Sequence, residues 1–273
     1  MAPKKIPARL DVLLAPKARK AVVLRRGPAK VVCTVGWDLS NDTFELGQWI
    51  KGRIHAWCCD ISPDGNYFVY WVMKGHNFQG DYDWTALSRV PHLKAIGRWK
   101  VSAGLPGGGL FVTEDKCWLH NLWYAHEECK EIIQESIEAD DEFVHDCRKV
   151  YIRRQLRDGW KVHSKVGDVT GLEVFRFEKA FGEHRVLRNI FDDTQRLGLR
   201  RGSCSNEYEL VNSGSGEAQF CRGWEWADID GGRLLWAEGG KIFSADVAPQ
   251  GLGPATMLHD FNDMTFQEIE APY

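Results

Sequence analysis

The chain has 273 residues, of which 44% are hydrophobic and 27% are charged, and its formal net charge is −3. These ordinary values exclude a disordered chain, and no apolar run approaches the roughly 20 residues that a membrane-spanning helix needs. Because the net charge is close to zero, the composition also argues against a general affinity for nucleic acid or anionic lipid.

The N-terminal residues 1–5 carry charge but are not followed by the apolar region of a secretory signal, so we expect a cytoplasmic protein. No Pro/Ser/Gly-rich linker separates two cores, which predicts a basic leader over residues 1–9 and a single domain over residues 10–273. A domain of this length does not depend on disulfides, and the cytoplasm is reducing. The eight cysteines are therefore predicted to be free and mostly buried.

Short β-rich runs broken by turn residues follow the leader. Gly, Pro, Asn and Asp separate these runs, and this spacing is typical of strands in an antiparallel meander. The first sheet is predicted from four such runs, at residues 10–14, 21–26, 31–38 and 43–50.

A second sheet is predicted around residues 62–65, whose sequence is Ser-Pro-Asp-Gly. Proline sets the first turn torsion and glycine accepts a positive one, so this tetrapeptide favours a tight turn between two strands. A similar order of strand, Asp-Gly turn, aromatic strand, Gly-Gly turn and strand recurs over residues 224–246. Such internal self-similarity is typical of repeat architectures.

One helix and several more strands are predicted in the rest of the chain. The helix is expected over residues 125–138, where Ile132, Ile133 and Ile137 recur at helical spacing among Glu and Lys. The further strands are predicted at residues 107–112, 116–122, 160–166, 172–177, 208–211, 256–261 and 264–269.

These motifs carry a resemblance to known repeat proteins. The Ser-Pro-Asp-Gly hairpin resembles the hairpins of TolB-type and WD40-like propeller repeats. The whole chain resembles an uncharacterised bacterial family through Arg25-Arg26-Gly27-Pro28, Leu46-Gly47-Gln48-Trp49, Trp84 to Arg89, Gly107 to Phe111, Trp224 to Asp228 and His259 to Met264. The resemblance implies an all-β fold, an irregular β-propeller of about five sheets with one helical insertion, and it implies no particular activity.

A propeller joins its first and last sheets, because two open sheet edges would otherwise remain exposed. Strands from opposite termini usually make this closure. We therefore expect part of residues 10–26 to share a sheet with part of residues 226–269, with residues 264–269 as the closing strand.

Cys117, His120, His126 and Cys129 form a Cys-x2-His-x5-His-x2-Cys set, and these residue types bind tetrahedral zinc. Zinc ribbons and fingers usually separate their ligand pairs by a longer loop, and here core-type Trp and Leu residues fill the gap. We therefore predict buried thiols with surface histidines, no metal site and no cofactor.

Two charged clusters have alternative interpretations. Arg25 and Arg26 lie on a predicted strand, either to contact phosphate or an acidic protein or to protect a solvated strand edge. His259, Asp260 and Asp263 follow a predicted strand, either in Asx-type turns with a capping histidine or as groups presented at a loop face. The sequence contains no Gly-x-Ser-x-Gly elbow and no P-loop that would assign them a reaction.

Trp84 and Arg89 are predicted to form a binding pair, because Trp and Arg dominate binding hot spots and propeller faces are assembled from inter-strand loops. The favoured function is a non-enzymatic interaction module that presents a loop face to a protein partner. The alternative is an enzyme or a small-ligand-binding protein with a central pocket that uses His259, Asp260 and Asp263. A membrane partner is not expected, and the charge disfavours nucleic acid.

Overall fold

The computed structural model describes residues 6–27, 30–73, 83–101, 106–120, 122–127, 129, 131–135, 147–167, 173–192, 204–248 and 251–273. Most of the predicted leader, residues 1–5, lies outside the described residues. Two compact units can be distinguished within the length that the sequence predicts as one domain. Unit 1 contains Asp11–Arg154 and Met264–Tyr273, and unit 2 contains Pro7–Leu10 and Gln155–Asp263.

The chain up to residue 157, most of which belongs to unit 1, is built mainly from strands. In chain order these are β1 Arg9–Leu14, β2 Lys20–Arg26, β3 Val31–Asp38, β4 Thr43–Lys51, β5 Arg53–Ile54, β6 Asp60–Ile61, β7 Tyr67–Met73, β8 Trp84–Arg89, β9 Ala95–Val101, β10 Gly109–Phe111, β11 Lys116–Leu119, β12 Leu122–Glu127 and β13 Ile133–Glu135. A 3-10 turn spans Ala56–Cys58, and helix α1 spans Cys147–Arg157. Within the described part of the chain, no helix is long and apolar enough to cross a membrane.

The N-terminal sheet has the strand order β1-β2-β3-β4, which confirms the first predicted meander. β2 and β3 are buried along most of their length, and Val22, Val23 and Leu24 are fully buried. A strand covered on both faces has a continuous apolar sequence rather than an alternating one. The apolar runs of β2 and β3 are thus explained by their central place in the sheet.

The second sheet has the order β12-β9-β8-β7-β5, with β6 also paired to β7. The Ser-Pro-Asp-Gly turn joins β6 to β7, as predicted. Gly65 has a φ of +75° and donates its N–H to the carbonyl of Ser62 at 2.8 Å. The Ser62 hydroxyl accepts the N–H groups of Asn66 and Tyr67 at 3.1 and 2.9 Å. Side-chain bonds therefore reinforce the turn that the sequence indicates.

The N-terminal and second sheets share one apolar core. Leu24 of β2, Phe68 and Val72 of β7 and Ala86 of β8 are 0 to 1% exposed within it. Close packing of this kind leaves little freedom to the strands that carry these side chains. The core thereby fixes β7 and β8, which lead into the loop at the site described below.

The prediction of a helix over residues 125–138 is wrong. Residues 122–127 and 133–135 form β12 and β13, and residues 128, 130 and 136–138 lie outside the described residues. Ile132 is 3% exposed and Ile133 is 57% exposed. Neighbouring residues with opposite exposure follow the period of a strand. β13 pairs in parallel with β11, and β11 pairs antiparallel with β10, in a small three-stranded sheet.

Unit 2 contains two larger sheets. Its strands are β14 Lys161–Gly167, β15 Glu173–Phe181, β16 His184–Asp192, β17 Cys204–Asn212, β18 Ala218–Phe220, β19 Trp224–Asp230, β20 Arg233–Glu238, β21 Lys241–Ala248, β22 Gly251–Leu252 and β23 Thr256–Asp260. One sheet has the order β14-β15-β16-β17-β18, and the other has the order β19-β20-β21-β22 with β23 paired to β21. The repeat predicted over residues 224–246 is confirmed, whereas β16 was not predicted.

The N-terminal segment Pro7–Leu10 belongs to unit 2, and we call it the N-terminal strap. Ala8 and Leu10 are buried. Ala8 donates its N–H to Oδ1 of Asn262 at 2.9 Å, and Leu10 donates its N–H to Oε2 of Glu225 at 2.8 Å. The strap is therefore attached to unit 2 through side-chain acceptors and two buried apolar residues.

Two predictions about the propeller need correction, although the all-β class with one helix is confirmed. Among the described residues, four sheets have four or more strands with the neighbouring-strand order of propeller blades, so the count is four rather than about five. In the parts of these ranges that the structure describes, residues 10–26 and 226–269 do not share a sheet, because β1 and β2 pair within the N-terminal sheet and β19 to β23 form another. Residues 264–269 form no strand.

Candidate functional site

The segment Met264–Tyr273 belongs to unit 1, and we call it the tail. It lies against side chains of β4, of the end of β8 and of the loop that follows β8. These side chains are Gln48, Trp49, Lys51, Arg89 and Lys94, and we call them the tail-binding face. The tail is an irregular peptide segment, so its contacts indicate what kind of ligand this face can bind.

Gln48 binds the loop and the tail at the same time. Its Oε1 accepts hydrogen bonds from the backbone N–H groups of Leu93 and Lys94, each at 2.8 Å. Its Nε2 donates to the carbonyl of Ile269 at 2.6 Å. Because the loop occupies the acceptor oxygen, the amide has one favourable orientation, with its donor directed at the tail. The bond is made to the main chain and does not depend on the residue type at position 269.

A β-bulge and a glycine position Gln48. The register between β3 and β4 shifts at this point, and a bulge of this kind redirects a side chain. The Thr34 hydroxyl accepts the N–H of Gln48 at 3.2 Å and donates to its carbonyl at 3.3 Å. At Gly47 a Cβ atom would lie 2.1 Å from the carbonyl oxygen of Pro91. Only glycine permits this approach of β4 to the loop.

The loop after β8 is held in place before it meets the tail. The Ser88 hydroxyl donates to the carbonyl of His92 at 2.6 Å, and the His92 N–H donates to the carbonyl of Arg89 at 2.8 Å. The Tyr70 hydroxyl donates to the carbonyl of Leu93 at 2.5 Å. A loop fixed by its own bonds loses little further freedom when a ligand binds.

Phe266 contacts an aromatic and cationic part of the face. Its ring centroid lies 6.0 Å from that of Trp49, and the Lys51 ammonium lies 5.0 Å from the Phe266 centroid. Arg25 lies 5.5 Å from the Trp49 ring. Phe266 remains 41% exposed, so this contact covers the face without entering the core.

Tyr273 is bound by the loop through both its hydroxyl and its ring. The hydroxyl accepts the N–H of Arg89 at 3.0 Å and donates to the carbonyl of Lys94 at 2.8 Å. The Arg89 guanidinium and the Lys94 ammonium lie 5.1 and 5.5 Å from the ring centroid, and Lys94 also donates to the Tyr273 carbonyl. Partial burial raises the pKa of Tyr273. A tyrosine hydroxyl is protonated near neutral pH at its ordinary pKa, and this upward shift keeps it able to donate at higher pH as well.

A carboxylate fixes the position of Arg89. Glu131 binds the Arg89 guanidinium at 2.7 Å with one oxygen and accepts the Tyr67 hydroxyl at 2.9 Å with the other. The hydrogen bond from Arg89, followed by that from Tyr67, lowers the pKa of Glu131. An exposed ion pair of this kind contributes little stability, but it orients Arg89 toward Tyr273.

The two predicted arginines have separate environments. Arg25 is 2% exposed, lies beside Trp49 and donates to the Gly27 carbonyl, and burial lowers its pKa. Arg26 pairs with Asp11 at 2.6 Å. Arg25 thus supports the tail-binding face from beneath, and contact of either arginine with phosphate or an acidic protein stays a prediction.

Trp84 and Arg89, which the sequence predicts as a binding pair, do not contact each other. They lie five residues apart on β8, which corresponds to about 17 Å along a strand. Trp84 packs under Arg98, whose Cζ lies 4.6 Å from the ring centroid. Arg89 therefore contributes to the tail-binding face without Trp84, and a binding role for Trp84 stays a prediction.

The predicted cluster in unit 2 has mainly structural contacts. The His259 ring lies edge-on to Phe261 at 4.5 Å, and burial lowers the pKa of His259. Asp260 binds Lys241 at 3.4 Å and accepts the N–H of Asn262 at 2.9 Å, as in an Asx-type turn. Asp263 is exposed. These contacts are those of a turn and a capping histidine, and the presentation of His259, Asp260 and Asp263 to a ligand stays a prediction.

The Cys/His set is only partly described, since the side chain of His126 lies outside the described residues. Cys117 and Cys129 are buried in one apolar cluster with Trp99. His120 is 2% exposed, so its prediction as a surface histidine is wrong. The six cysteines whose side chains are described are buried, as predicted. Among the residues that the structure describes, no group of three or more His, Cys, Asp or Glu side chains is placed to hold a metal ion.

Sequence reasoning missed most of the site. The sequence predicts no role for Leu46-Gly47-Gln48-Trp49 and places Phe266 in a strand. The glycine within a predicted strand was the available signal, since such a residue often marks a close approach of backbone. The tail itself gives no local signal, because its contacts are with residues more than 170 positions away.

No protein-family model matches the chain, and no curated protein matches its sequence. Among solved structures, it is similar to a variant of the isopeptidase AtxE2 with Astexin3-dC4 bound, at a TM-score of 0.41 and 9% identity over 95% of this chain and 53% of that one. It is also similar to the β-propeller domain of the Trilobed protease from Pyrococcus furiosus, at a TM-score of 0.29 and 11% identity over 95% and 83% of the two chains.

An uncharacterized protein from Listeria monocytogenes gives a TM-score of 0.32 and 8% identity over 93% and 84% of the two chains. The chain spans about half the length of the isopeptidase. At these scores and identities the likenesses assign neither an activity nor a partner to the chain. The fold and the site therefore define an all-β chain of blade-like sheets, one unit of which holds an irregular peptide segment on its surface.

Proposed function

We propose that this chain is a non-enzymatic protein-interaction module that binds a short peptide segment of a partner protein at the tail-binding face. The observation that supports this proposal is the bond from Gln48 to the carbonyl of Ile269. A main-chain carbonyl is present in every peptide, so a segment of another protein can accept the same bond. The cytoplasmic location and the membership of a propeller family belong to the same proposal.

Two side-chain anchors supply selectivity in this proposal. An aromatic residue packs against Trp49 and Lys51, as Phe266 does, and a tyrosine seven positions later binds Arg89 and Lys94. Aromatic anchors and cation-π contacts contribute much of the binding energy at many protein interfaces. The preformed loop at residues 90–94 reduces the entropy lost on binding.

The test measures the binding of a fluorescent peptide with the sequence of residues 264–273. The protein is the full chain with Phe266→Ala and Tyr273→Ala, which weaken its own tail. We expect saturable binding by fluorescence anisotropy, with a dissociation constant below about 1 mM. Absence of saturable binding in that range would overturn the proposal, provided that the variant melts cooperatively.

Gln48→Glu in the same background tests the site. The glutamate keeps the oxygen that accepts from the loop but loses the N–H that donates to the peptide, so the affinity should fall about 10-fold. Gln219→Glu, on the exposed strand β18 of unit 2, makes the same chemical change and should leave the affinity unaltered. Equal effects of the two substitutions would contradict the assignment of the peptide to this face.

A further inference from the structure

The tail occupies the tail-binding face, and this suggests how the binding of a partner peptide to that face is controlled. Resting on the proposed function, we infer that the tail is a competing intramolecular ligand and that the partner segment which displaces it is acidic. The contacts between tail and face, their exposure and their charges carry this inference.

The tail is attached by surface contacts that can break without opening the core. Phe266 is 41% exposed, and the Arg89 and Glu131 side chains beside Tyr273 are 44% and 38% exposed. The tail pairs with no strand, so its release exposes no sheet edge. Local opening of such a segment requires far less free energy than global unfolding.

Tethering gives the tail an advantage over a free peptide. A segment joined to its site by a short connection has an effective concentration on the order of 1 mM. If the free peptide binds with a dissociation constant of about 100 μM, the tail occupies roughly nine-tenths of the faces. The apparent affinity for an external segment is then reduced about 10-fold, because only the faces without a bound tail can bind that segment.

The charges favour an acidic partner. Lys51, Arg89 and Lys94 supply three positive charges near the tail, and Glu131 removes one, which leaves a local charge of about +2. The tail contains Glu268 and Glu270 and no lysine or arginine. Both glutamates are exposed while the tail is bound. Acidic residues at these positions therefore remain hydrated, and their negative charges are still attracted by the basic surface.

The first experiment compares the full wild-type chain with Phe266→Ala, using the fluorescent peptide of residues 264–273 as the probe. We expect Phe266→Ala to bind the peptide about 10-fold more tightly, because its own tail competes less well. Phe220→Ala removes an exposed aromatic residue of unit 2 and should match the wild type. Equal affinity of the wild type and Phe266→Ala would overturn the competition while leaving peptide binding intact.

The second experiment replaces both glutamates of the peptide, in Glu268→Gln and Glu270→Gln, and measures its binding to the Phe266→Ala chain. We expect binding about 5-fold weaker at 50 mM salt, and a smaller difference at 0.5 M salt because charges are screened. Equal affinity at low salt would overturn the acidic character of the partner. Failure of both peptides to bind any variant would instead overturn the proposed function itself.

Discussion

Replacement of Asp228 by asparagine is expected to destabilise unit 2 strongly. Oδ1 of Asp228 binds the Lys179 ammonium at 2.8 Å, and Oδ2 accepts the Trp160 indole N–H at 3.2 Å. The Arg188 guanidinium lies 3.9 Å from Oδ2. Asparagine has nearly the same shape but no charge, and it exchanges one of these acceptor oxygens for a donor. The substitution therefore removes the only negative charge among these four side chains.

The size of the effect follows from the burial of Arg188. This side chain is 2% exposed, its Cζ lies 3.9 Å from the Trp160 ring centroid, and it donates to the Ala227 carbonyl at 2.5 Å. Removing one partner of a buried ion pair costs about 3–5 kcal/mol, because the other charge stays buried. Since asparagine keeps one acceptor, we expect about 3 kcal/mol. For a chain of this size, that corresponds to a fall in Tm of about 6–12 °C.

Thermal unfolding of the full chain, followed by calorimetry and far-UV circular dichroism, measures this effect. Glu178→Gln is the matched control, because it makes the same carboxylate-to-amide change in a more exposed pair with Arg185 at 3.4 Å. A surface pair contributes at most about 1 kcal/mol. If Asp228→Asn lowered the Tm no more than Glu178→Gln did, the reasoning about the buried charge would be refuted.

Three further predictions concern single substitutions. Asn262→Ala should lower the stability of unit 2 by about 1–3 kcal/mol in thermal melts, because Ala8 of the strap loses its acceptor; an unchanged melt would contradict the role of the strap. Burial lowers the pKa of His259 below its ordinary 6.5, so the unfolded state binds the proton more readily and stability should fall as the pH drops below about 6.5. Melts of His259→Gln from pH 5 to 8 should lack that slope, and an identical slope would contradict it. Gly47→Ala should destabilise the chain by about 1–3 kcal/mol and weaken peptide binding, because its Cβ would force β4 away from Pro91; a variant with normal stability and affinity would show that the close approach is dispensable.

The parts of the fold that the sequence predicts well are encoded by neighbouring residues. The turn at Ser62 to Gly65 depends on a proline, a glycine and a hydroxyl within four positions, and glycines with positive φ form the turns after β19 and β20. The first four strands were predicted to within one residue at each end. Turn chemistry and strand sequence act over a few residues, so they can be interpreted without the fold.

The failed helix shows where local pattern is ambiguous. Ile132, Ile133 and Ile137 fit the spacing of a helix, but Ile132 packs with Cys117 and Cys129 while Ile133 faces solvent. The pairing of β13 with β11, whose partner residues such as Lys116 and Ile133 lie seventeen positions apart, decides the outcome. Tertiary pairing of this kind overrides local preference, and short apolar runs do not reveal it.

The sequence does not predict the candidate site either, because the residues that contact each other there are far apart in the chain. The residue type of Arg89 favours a role in binding, but its partners Glu131 and Tyr273 come from distant parts of the chain, so the sequence does not show what it contacts. Gln48 gives no signal in the sequence, because an isolated glutamine has no characteristic chemistry. Its significance appears only when one end of the amide is bound by the loop and the other by the tail.

The prediction of a closing strand is wrong, yet the strap and the tail each pack against one of the two units. The N-terminal strap belongs to unit 2, where Ala8 and Leu10 are buried, and the tail belongs to unit 1. Neither unit is therefore a continuous stretch of sequence. The strap is attached to its unit more firmly than the tail, because the strap buries apolar side chains, whereas Phe266 of the tail stays 41% exposed. A buried strap suits a permanent structural role, and a half-exposed tail suits a ligand that can be exchanged, which is the property that the proposed competition requires.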